Sequence, residues 1–270
     1  MDALRQIETW PAQWTAAGVV RADGVRATAG DAAAVSEWAS VTKLATALAV
    51  LVAAEEGVLD LDEPAGLPGA SVRHLLAHAS GLPLHGETPI AQPESRRIYS
   101  NEGFVVLARH LADRAEMPFP EYLHAAVLEP LGLRAELRGD AGSGLWGSLD
   151  DLLALGAELL APTLLAPETL AEARTVQFPG LTGVLPGFGR QERNDWGLGF
   201  ELKDGKEPHW TGTRNSAETF GHFGRTGTFL WVDPGAGLAL GVLTDLDFDA
   251  WAQEAWPRLA DAVLAEAQES

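Results

Sequence analysis

The sequence predicts an α+β fold in which an antiparallel sheet is assembled from both ends of the chain and flanked by helices. Three observations lead to this prediction: strand signals near the N-terminus, a helical middle, and further strand signals toward the C-terminus. Strands that bracket helices in this order are typical of α+β domains. We expect a single domain of residues 1–270, with the sheet region from 1–59 and 176–270 and an inserted, mainly helical region at 60–175.

The N-terminal segment is predicted to form a surface helix followed by a hairpin. Residues 2–16 are interpreted as the helix, which Pro11 interrupts. Residues 18–29 are interpreted as the hairpin, because apolar runs flank a turn at Ala22-Asp23-Gly24. Val25 is expected to be the first residue of the second strand of this hairpin.

Helix signals dominate the middle of the chain. The most apolar run, residues 41–54, consists almost entirely of Ala, Leu and Val, which predicts a helix buried on all sides that stops at Gly57. Further helices are predicted at residues 71–76, 102–115, 118–133, 148–160 and 167–174.

The last third of the chain is predicted to contain a long loop, four strands and a closing helix. Residues 178–195 are rich in Gly and Pro and lack periodicity, and long loops of this kind are often functional. The strands are expected at residues 197–203, 219–224, 228–232 and 238–244, and the helix at 251–267.

Composition excludes several classes of function. The net charge of −19 argues against nucleic-acid and anionic-membrane partners. The chain has no cysteine, so it has no thiolate metal site. Residues 1–11 lack the apolar core of a signal peptide, which predicts a cytoplasmic protein unless a leader has been removed.

Ser40 and Lys43 open the predicted buried helix, one turn apart on the same face. An amine there can take the proton of a serine nucleophile, and the helix N-terminus favours the developing negative charge. Alternatively, Ser40 only caps the helix and Lys43 extends to water. The other two lysines, Lys203 and Lys206, flank a polar turn. A lysine kept in the most apolar helix indicates a task for an amine that burial can neutralise, which a guanidinium cannot perform.

Three separated motifs reinforce this interpretation: Ser40-x-x-Lys43, Tyr99-Ser100-Asn101 and His222-Phe223-Gly224. Together with connecting segments such as His74-Leu75-Leu76-Ala77-His78-Ala79-Ser80-Gly81-Leu82-Pro83, they resemble the serine β-lactamase and penicillin-binding-protein superfamily. Within it, the chain is most similar to the group of class C β-lactamases, D-Ala-D-Ala carboxypeptidases and family VIII esterases. The resemblance covers nearly the whole chain and implies the β-lactamase/transpeptidase fold.

The resemblance also implies catalytic roles. Ser40 would be the nucleophile that forms an acyl-enzyme, and Lys43 would hold its hydroxyl and share its proton. Tyr99 would be the general base and acid. Because a phenol has a pKa near 10, Tyr99 would act at neutral pH only if positive charge on Lys43 stabilised the phenolate.

The remaining motif residues are implied to bind the substrate. Asn101 would hydrogen-bond the carbonyl side of the substrate or position the lysine. His222 stands where many relatives carry Lys, and Gly224 would let its strand approach the substrate closely. The oxyanion hole would consist of the backbone N–H groups of Ser40 and Arg225. The Arg225 side chain would either face solvent or bind a substrate carboxylate.

Other residues admit both a structural and a functional interpretation. His74 and His78 are four apart, a spacing that suits a metal on a helix, but the resemblance implies structural roles for both. No metal or cofactor is expected. Trp146, Trp196 and Trp210 fall in segments that could border the pocket.

The function expected from the sequence is hydrolysis of small esters or amides through an acyl-Ser40 intermediate, with an esterase favoured. One alternative is a β-lactamase or D,D-peptidase whose leader is absent from this chain. A third hypothesis is a β-lactam sensor or pseudoenzyme that is acylated without turnover. A small-molecule ester, amide or lactam is the expected partner in each case.

Overall fold

The main sheet joins the two ends of the chain because β1 pairs antiparallel with β11, from Thr15 opposite Thr244 to Arg21 opposite Leu238. The computed structural model describes residues 1–24 and 26–269. The strand order in the six-stranded sheet is β2-β1-β11-β10-β9-β8, and each neighbouring pair is antiparallel. The strands of the described residues are β1 (Thr15–Arg21), β2 (Arg26–Ala29), β3 (Ser36–Glu37), β4 (Glu136–Leu137), β5 (Leu145–Gly147), β6 (Gly183–Leu185), β7 (Gly189–Gln191), β8 (Glu201–Leu202), β9 (Phe220–Gly224), β10 (Thr228–Asp233) and β11 (Leu238–Thr244).

Helices cover both faces of this sheet. The α-helices of the described residues are α1 (Thr42–Glu55), α2 (Val72–Leu76), α3 (Asn101–Ala115), α4 (Phe119–Leu123), α5 (Leu149–Leu160), α6 (Pro167–Ala173) and α7 (Ala250–Glu269). The sheet separates two apolar layers, since alternate side chains of a strand point to opposite faces. Leu230 and Val232 of β10 pack with α1 and α5, whereas Phe229 and Trp231 pack with α7. Among the described residues, no helix combines the length and apolarity required to cross a membrane.

The structure confirms the predicted fold class and its central helix. Helix α1 runs through the larger apolar layer, and it ends just before Gly57, whose φ is +72°. The helices predicted at 71–76, 102–115 and 148–160 form within a residue of the expected bounds, and Ser71 and Ser148 occupy N-cap positions as their sequences indicate.

Several predicted boundaries are wrong. The N-terminal helix is a 3-10 helix that ends at Thr9, and residues 15–16 already belong to β1. The predicted hairpin forms, although Val25 lies outside the described residues. The loop at 178–195 contains the hairpin β6–β7, and the strand predicted at 197–203 is reduced to Glu201–Leu202. Strands of two or three residues are too short to produce a periodic pattern, which is also why β3, β4 and β5 are missed.

Candidate active site

Ser40 lies in a tight turn against the edge of β9. Residues 39–41 form a 3-10 turn that leads into α1, and Ala39 has φ +44°, a left-handed conformation that costs an alanine energy. A Cβ on Gly224 would lie 2.9 Å from the Cβ of Ala39 and 2.8 Å from the carbonyl oxygen of Trp38. The turn and the strand therefore touch through a position that has room only for glycine.

Two motif side chains converge on the Ser40 hydroxyl. The phenol of Tyr99 donates a hydrogen bond to Ser40 Oγ over 2.7 Å. Lys43 Nζ lies 3.4 Å from the same oxygen. Ser40 is half-buried, and its hydroxyl faces these two partners. Within the described part of the chain, it makes no side-chain capping bond to the helix.

Lys43 is completely buried, and short hydrogen bonds fix its amine. Lys43 Nζ donates to Asn101 Oδ1 over 2.6 Å and to the carbonyl oxygen of Gly142 over 2.7 Å. Burial lowers the pKa of Lys43 to about 7, against the opposing effect of the Asp140 carboxylate. The amine can therefore be neutral at neutral pH. Its complete burial excludes the alternative that it extends to water.

Tyr99 does not meet the condition stated for a general base at neutral pH, which is a phenolate stabilised by Lys43. Burial raises the pKa of Tyr99 well above that of a free phenol, even though the hydrogen bond to Ser40 opposes this change. The Asp140 carboxylate adds to the effect of burial on Tyr99, and the charge on Lys43, whose own pKa burial lowers to about 7, does not outweigh them. At neutral pH the structure presents a protonated phenol beside an amine that can be neutral.

The motif around Tyr99 owes its geometry to helix α3. Ser100 is the N-cap residue, and its Oγ accepts the backbone N–H of Gly103 over 2.8 Å. The capped turn sends the Tyr99 and Asn101 side chains into one site. His78 packs under Tyr99 with ring centroids 4.7 Å apart, and its Nδ1 accepts the Ser100 backbone N–H over 3.2 Å.

His222 lines the cavity as a neutral side chain. Its Nδ1 lies 2.7 Å from the carbonyl oxygen of Phe223, so that nitrogen carries the proton and Nε2 is left as an acceptor. Nε2 is buried and has no hydrogen-bond partner among the described residues. Burial, assisted by the charge of Lys43, lowers the pKa of His222 to about 3. The histidine cannot supply the positive charge that a lysine would supply at this position.

Arg225 lines the rim of the cavity and points outward. Its side chain is 71% exposed and pairs with Asp247 over 3.0 Å. The solvent-facing alternative therefore describes this side chain.

The site opens into a cavity of about 430 Å³, which we call the catalytic cavity. Besides the motif residues, its walls include Leu84, Leu185 and Pro186, so the loop at 178–195 contributes to the site. Of the three tryptophans considered, only Trp196 lines it. Trp146 borders a different cavity, and Trp210 is buried behind the sheet.

Sequence reasoning missed two residues that fix the lysine. Gly142 supplies a carbonyl oxygen, and Asp140 accepts the Gly142 N–H over 2.8 Å and thereby holds that loop. The Gly-rich run at 139–144 signals a turn, but a backbone carbonyl leaves no residue-specific signature of its contact.

The two histidines of the 71–83 segment do not share a helix face. Helix α2 ends at Leu76, and His78 follows it with φ +54°. His74 instead bonds Ser71 through Nδ1 and Glu94 through Nε2, at 2.8 and 2.9 Å. Among the described residues, no group of His, Asp and Glu has the arrangement of a metal site.

Lys206 lies in the predicted polar turn, since its backbone N–H donates to the Lys203 carbonyl oxygen over 3.0 Å, but its side chain is buried rather than exposed. Its amine is buried and donates to Glu201 Oε1 over 2.5 Å and to the carbonyl oxygen of Asp195 over 2.6 Å. Glu201 Oε2 accepts from His209 and Trp210, each over 2.8 Å. Burial raises the pKa of Glu201, but His209 and Lys206 outweigh it and lower the pKa to about 2. This ion cluster links the turn that contains Lys206 to Asp195 and Glu201, and Glu201 lines the catalytic cavity.

A model of the Beta-lactamase family matches residues 12–265. A crystal structure described as a beta-lactamase from Mycobacterium bovis is similar throughout, with 52% identity and a TM-score of 0.97. That match covers 98% of this chain and 99% of the other.

Two curated relatives are more distant. Esterase EstB of Burkholderia gladioli is 29% identical over 178 residues, which cover 65% of this chain and 43% of the esterase. Penicillin-binding protein 4* of Bacillus subtilis (strain 168) is 26% identical over 130 residues, 36% of this chain and 29% of that protein. The matched regions thus span less than half of either relative.

Proposed function

The chain belongs to the beta-lactamase family, and on that basis we propose that it is a serine hydrolase that cleaves small esters through an acyl-Ser40 intermediate. The observation that carries this proposal is the pair of contacts on Ser40 Oγ, 2.7 Å from the Tyr99 hydroxyl and 3.4 Å from Lys43 Nζ. A nucleophile within reach of a group that can take its proton is the minimal arrangement for covalent acyl transfer.

We assign the first proton transfer to Lys43. A neutral amine has two N–H donors and one lone pair, and Asn101 Oδ1 and the Gly142 carbonyl oxygen occupy the donors. The lone pair is left for the Ser40 hydroxyl. As Ser40 Oγ attacks the ester carbonyl carbon, its proton moves to Lys43, and the carbonyl oxygen becomes an oxyanion.

The oxyanion would be stabilised by the backbone N–H groups of Ser40 and Arg225. The support for this pairing is the close packing of the Ala39 turn against Gly224, which brings the two segments together. When the intermediate collapses, the protonated Tyr99 phenol gives its proton to the departing alkoxide, and the proton held by Lys43 restores the phenol. The products are an alcohol and acyl-Ser40.

Water completes the cycle by the reverse proton path. It attacks the acyl carbonyl and transfers a proton to the Tyr99–Lys43 pair, and Ser40 Oγ leaves with a proton returned from that pair. The carboxylic acid is released. His222 Nε2 is a free acceptor at the cavity wall, and we assign to it a hydrogen bond with a donor of the substrate or with the attacking water.

Two features favour esters over lactams or D-Ala peptides. Burial lowers the pKa of His222 to about 3, so the ring is neutral at neutral pH and this position lacks a cation for the carboxylate that β-lactams and peptide C-termini carry. The Burkholderia relative is an esterase by name.

A β-lactamase is the second candidate, because the similar Mycobacterium bovis structure, at 52% identity, is described as one. A sensor that is acylated and then stalls is the third possibility, since the rate of deacylation depends on the placement of water.

The experiment compares the protein with Ser40→Ala on p-nitrophenyl butyrate and a chromogenic cephalosporin, and records the intact mass after each incubation. Ser95→Ala is the control, because Ser95 is exposed and its hydroxyl bonds only the nearby Gln92 carbonyl. We expect ester turnover that Ser40→Ala loses and Ser95→Ala keeps, with much slower cephalosporin turnover.

The other outcomes separate the alternatives. Fast cephalosporin turnover would show that the protein is a β-lactamase rather than an esterase. A lasting mass adduct without turnover would indicate a sensor. Equal ester turnover by the wild type and Ser40→Ala would overturn the assignment of Ser40 as nucleophile.

A further inference from the structure

A second cavity of about 470 Å³ adjoins the catalytic cavity, and we call it the arginine groove. Leu84, Tyr99 and Pro186 line both spaces, so the groove begins at the tyrosine that contacts Ser40. Its far side is formed by the segments around Ile90 and Arg190. These shared walls place the groove next to the catalytic cavity.

Exposed apolar side chains are concentrated along this groove. Among the described residues, six large apolar side chains are exposed, and three of them, Leu84, Ile90 and Val184, line it at 46%, 54% and 60% exposure. Apolar side chains on a wet surface are common singly, whereas a group of them in a concavity indicates a binding surface.

The charge lining the groove is positive, although the protein as a whole has a net charge of −19. Arg96, Arg97 and Arg190 line it, and none of the described lining residues is acidic. Arg96 makes no ion pair within the described residues and donates only to the carbonyl oxygen of Ile90, over 3.3 Å. Arg190 has an exposed pair with Glu192, of a kind that contributes little and exchanges easily.

Arg97 adds charge from beneath the groove. It is 2% exposed, and its guanidinium donates to four backbone carbonyl oxygens, those of Ala77, Gln177, Phe178 and Asn194. Burial lowers its pKa to about 10, opposed by Asp195, so it stays a cation at neutral pH. Because none of these bonds is to a carboxylate, its charge adds to the positive field of the groove.

We propose that the arginine groove is a subsite for the anionic end of the substrate, an apolar chain that terminates in a carboxylate or phosphate. The apolar walls would cover the chain, and the Arg96 and Arg190 guanidinium groups would bind the terminal anion. This inference deepens the proposed function, because it assigns a substrate class to the same hydrolase.

The kinetic test uses two matched pairs of esters. The first pair is hexyl acetate and the acetyl ester of 6-hydroxyhexanoate, and the second is methyl hexanoate and monomethyl adipate. A third anionic ester, the acetyl ester of 6-hydroxyhexyl phosphate, separates a phosphate end from a carboxylate end. Released acid or alcohol is followed by NMR for the wild type, Arg96→Gln/Arg190→Gln and Arg193→Gln. Arg193 is the control because it is an exposed arginine of the same segment that does not line the groove.

We expect kcat/KM to favour an anionic ester over its neutral partner by about three- to tenfold at low salt in one of the pairs. The preference should fall toward unity in the double variant and in about 0.5 M NaCl, since exposed charges are screened. Arg193→Gln should keep it, and in the double variant the neutral esters should lose less kcat/KM than their anionic partners. Equal kcat/KM for neutral and anionic esters in both pairs would overturn the proposal.

A binding measurement keeps the test independent of turnover. Saturation-transfer NMR with hexanoate and with hexyl phosphate is run on Ser40→Ala and on Ser40→Ala carrying the groove substitutions. Loss of binding by at least about threefold in Arg96→Gln/Arg190→Gln but not in Arg193→Gln supports the subsite even if no ester is hydrolysed. Equal binding by all variants overturns it. So does a change of oligomeric mass in the double variant without a change in anion binding, which would identify the groove as an interface between copies of this chain.

Discussion

Lys43 Nζ lies 2.6 Å from Asn101 Oδ1, a shorter contact than the 3.4 Å that separates it from Ser40 Oγ. The amine is therefore held by acceptors that do not react, and its weakest contact is to the group whose proton it would take. This arrangement fixes the direction of the lone pair before a substrate arrives, which is the preorganisation that general bases require.

The pH dependence of activity should follow the titration of Lys43. Its pKa is lowered to about 7, and only the neutral amine is a base, so kcat/KM should rise with pH through about 7 and then level off. Lys43→Arg keeps the charge but cannot become neutral, and we expect kcat/KM about 10²–10⁴-fold lower with no rise near pH 7. Steady-state kinetics from pH 5 to 9 measure both. A flat profile in the wild type would contradict the assignment of Lys43 as base.

Asn101→Asp should move that profile without changing the shape of the side chain. A carboxylate 2.6 Å from the amine would favour the ammonium form and raise the pKa of Lys43 by about 1–3 units. Activity at pH 7 should fall and recover at higher pH. Gln268→Glu is the control, since Gln268 is exposed on α7 beside Arg214, outside the catalytic cavity. An unshifted profile in Asn101→Asp would show that the amine does not govern the reaction.

Tyr99→Phe removes the hydroxyl that donates to Ser40 and leaves the ring stacked on His78. We expect kcat about 10²–10⁴-fold lower with a small change in stability. The other tyrosine, Tyr122, provides the matched control, because its hydroxyl bonds Glu56 over 2.6 Å away from the site. Tyr122→Phe should cost about 1 kcal/mol of unfolding free energy and leave kcat unchanged. Comparable kcat losses in the two variants would mean that the effect is structural.

Gly224→Ala should damage both stability and activity. The new methyl group would meet Thr228 Oγ1 at 2.5 Å and the Trp38 carbonyl oxygen at 2.8 Å, which forces β9 away from the Ser40 turn. We expect a loss of about 1–3 kcal/mol in urea unfolding and a lower kcat/KM. Gly205→Ala, at a position with no atom within 4 Å, should change neither. Unchanged kcat/KM in a folded Gly224→Ala variant would show that the close packing of Gly224 against the Ser40 turn is not needed for catalysis.

Lys206→Met tests the buried ion cluster. It removes the amine that pairs with Glu201 and leaves the carboxylate buried, which should cost about 3–5 kcal/mol. The folded pKa of about 2 lies below the unfolded value of 4.5, so the carboxylate stabilises the fold above pH 4.5 and loses that effect as pH falls toward 2. This acid-dependent loss should shrink in Lys206→Met. Lys203→Met, on the half-buried neighbour, should stay within about 0.5 kcal/mol of wild type.

The sequence predicted the parts of the site that short motifs encode. Ser40 and Lys43 are one helical turn apart, and Tyr99 and Asn101 flank a cap residue, so local geometry brings each pair together. The contact between the pairs depends on long-range packing, and the family resemblance rather than periodicity supplied it. Gly142 stayed hidden because any residue could offer the same carbonyl oxygen to Lys43.

Ionisation and burial were harder to predict than position. The protonation states of Tyr99 and Lys43 depend on how completely each side chain is excluded from water, which composition does not reveal. Lys206 follows an Asp-Gly turn, a typical sign of exposure, yet its side chain is buried in an ion pair with Glu201. In both cases tertiary contacts outweighed the local sequence pattern.

The pairing of β1 with β11 sets the order in which the protein can mature on a ribosome. Thr15 is translated long before Thr244, its partner in the sheet. β9, which abuts the Ser40 turn, is anchored through β10 to that same late strand. An elongating chain can therefore form its helices long before β9 packs against the Ser40 turn. A nascent or truncated chain is expected to be catalytically inactive until β11 is added.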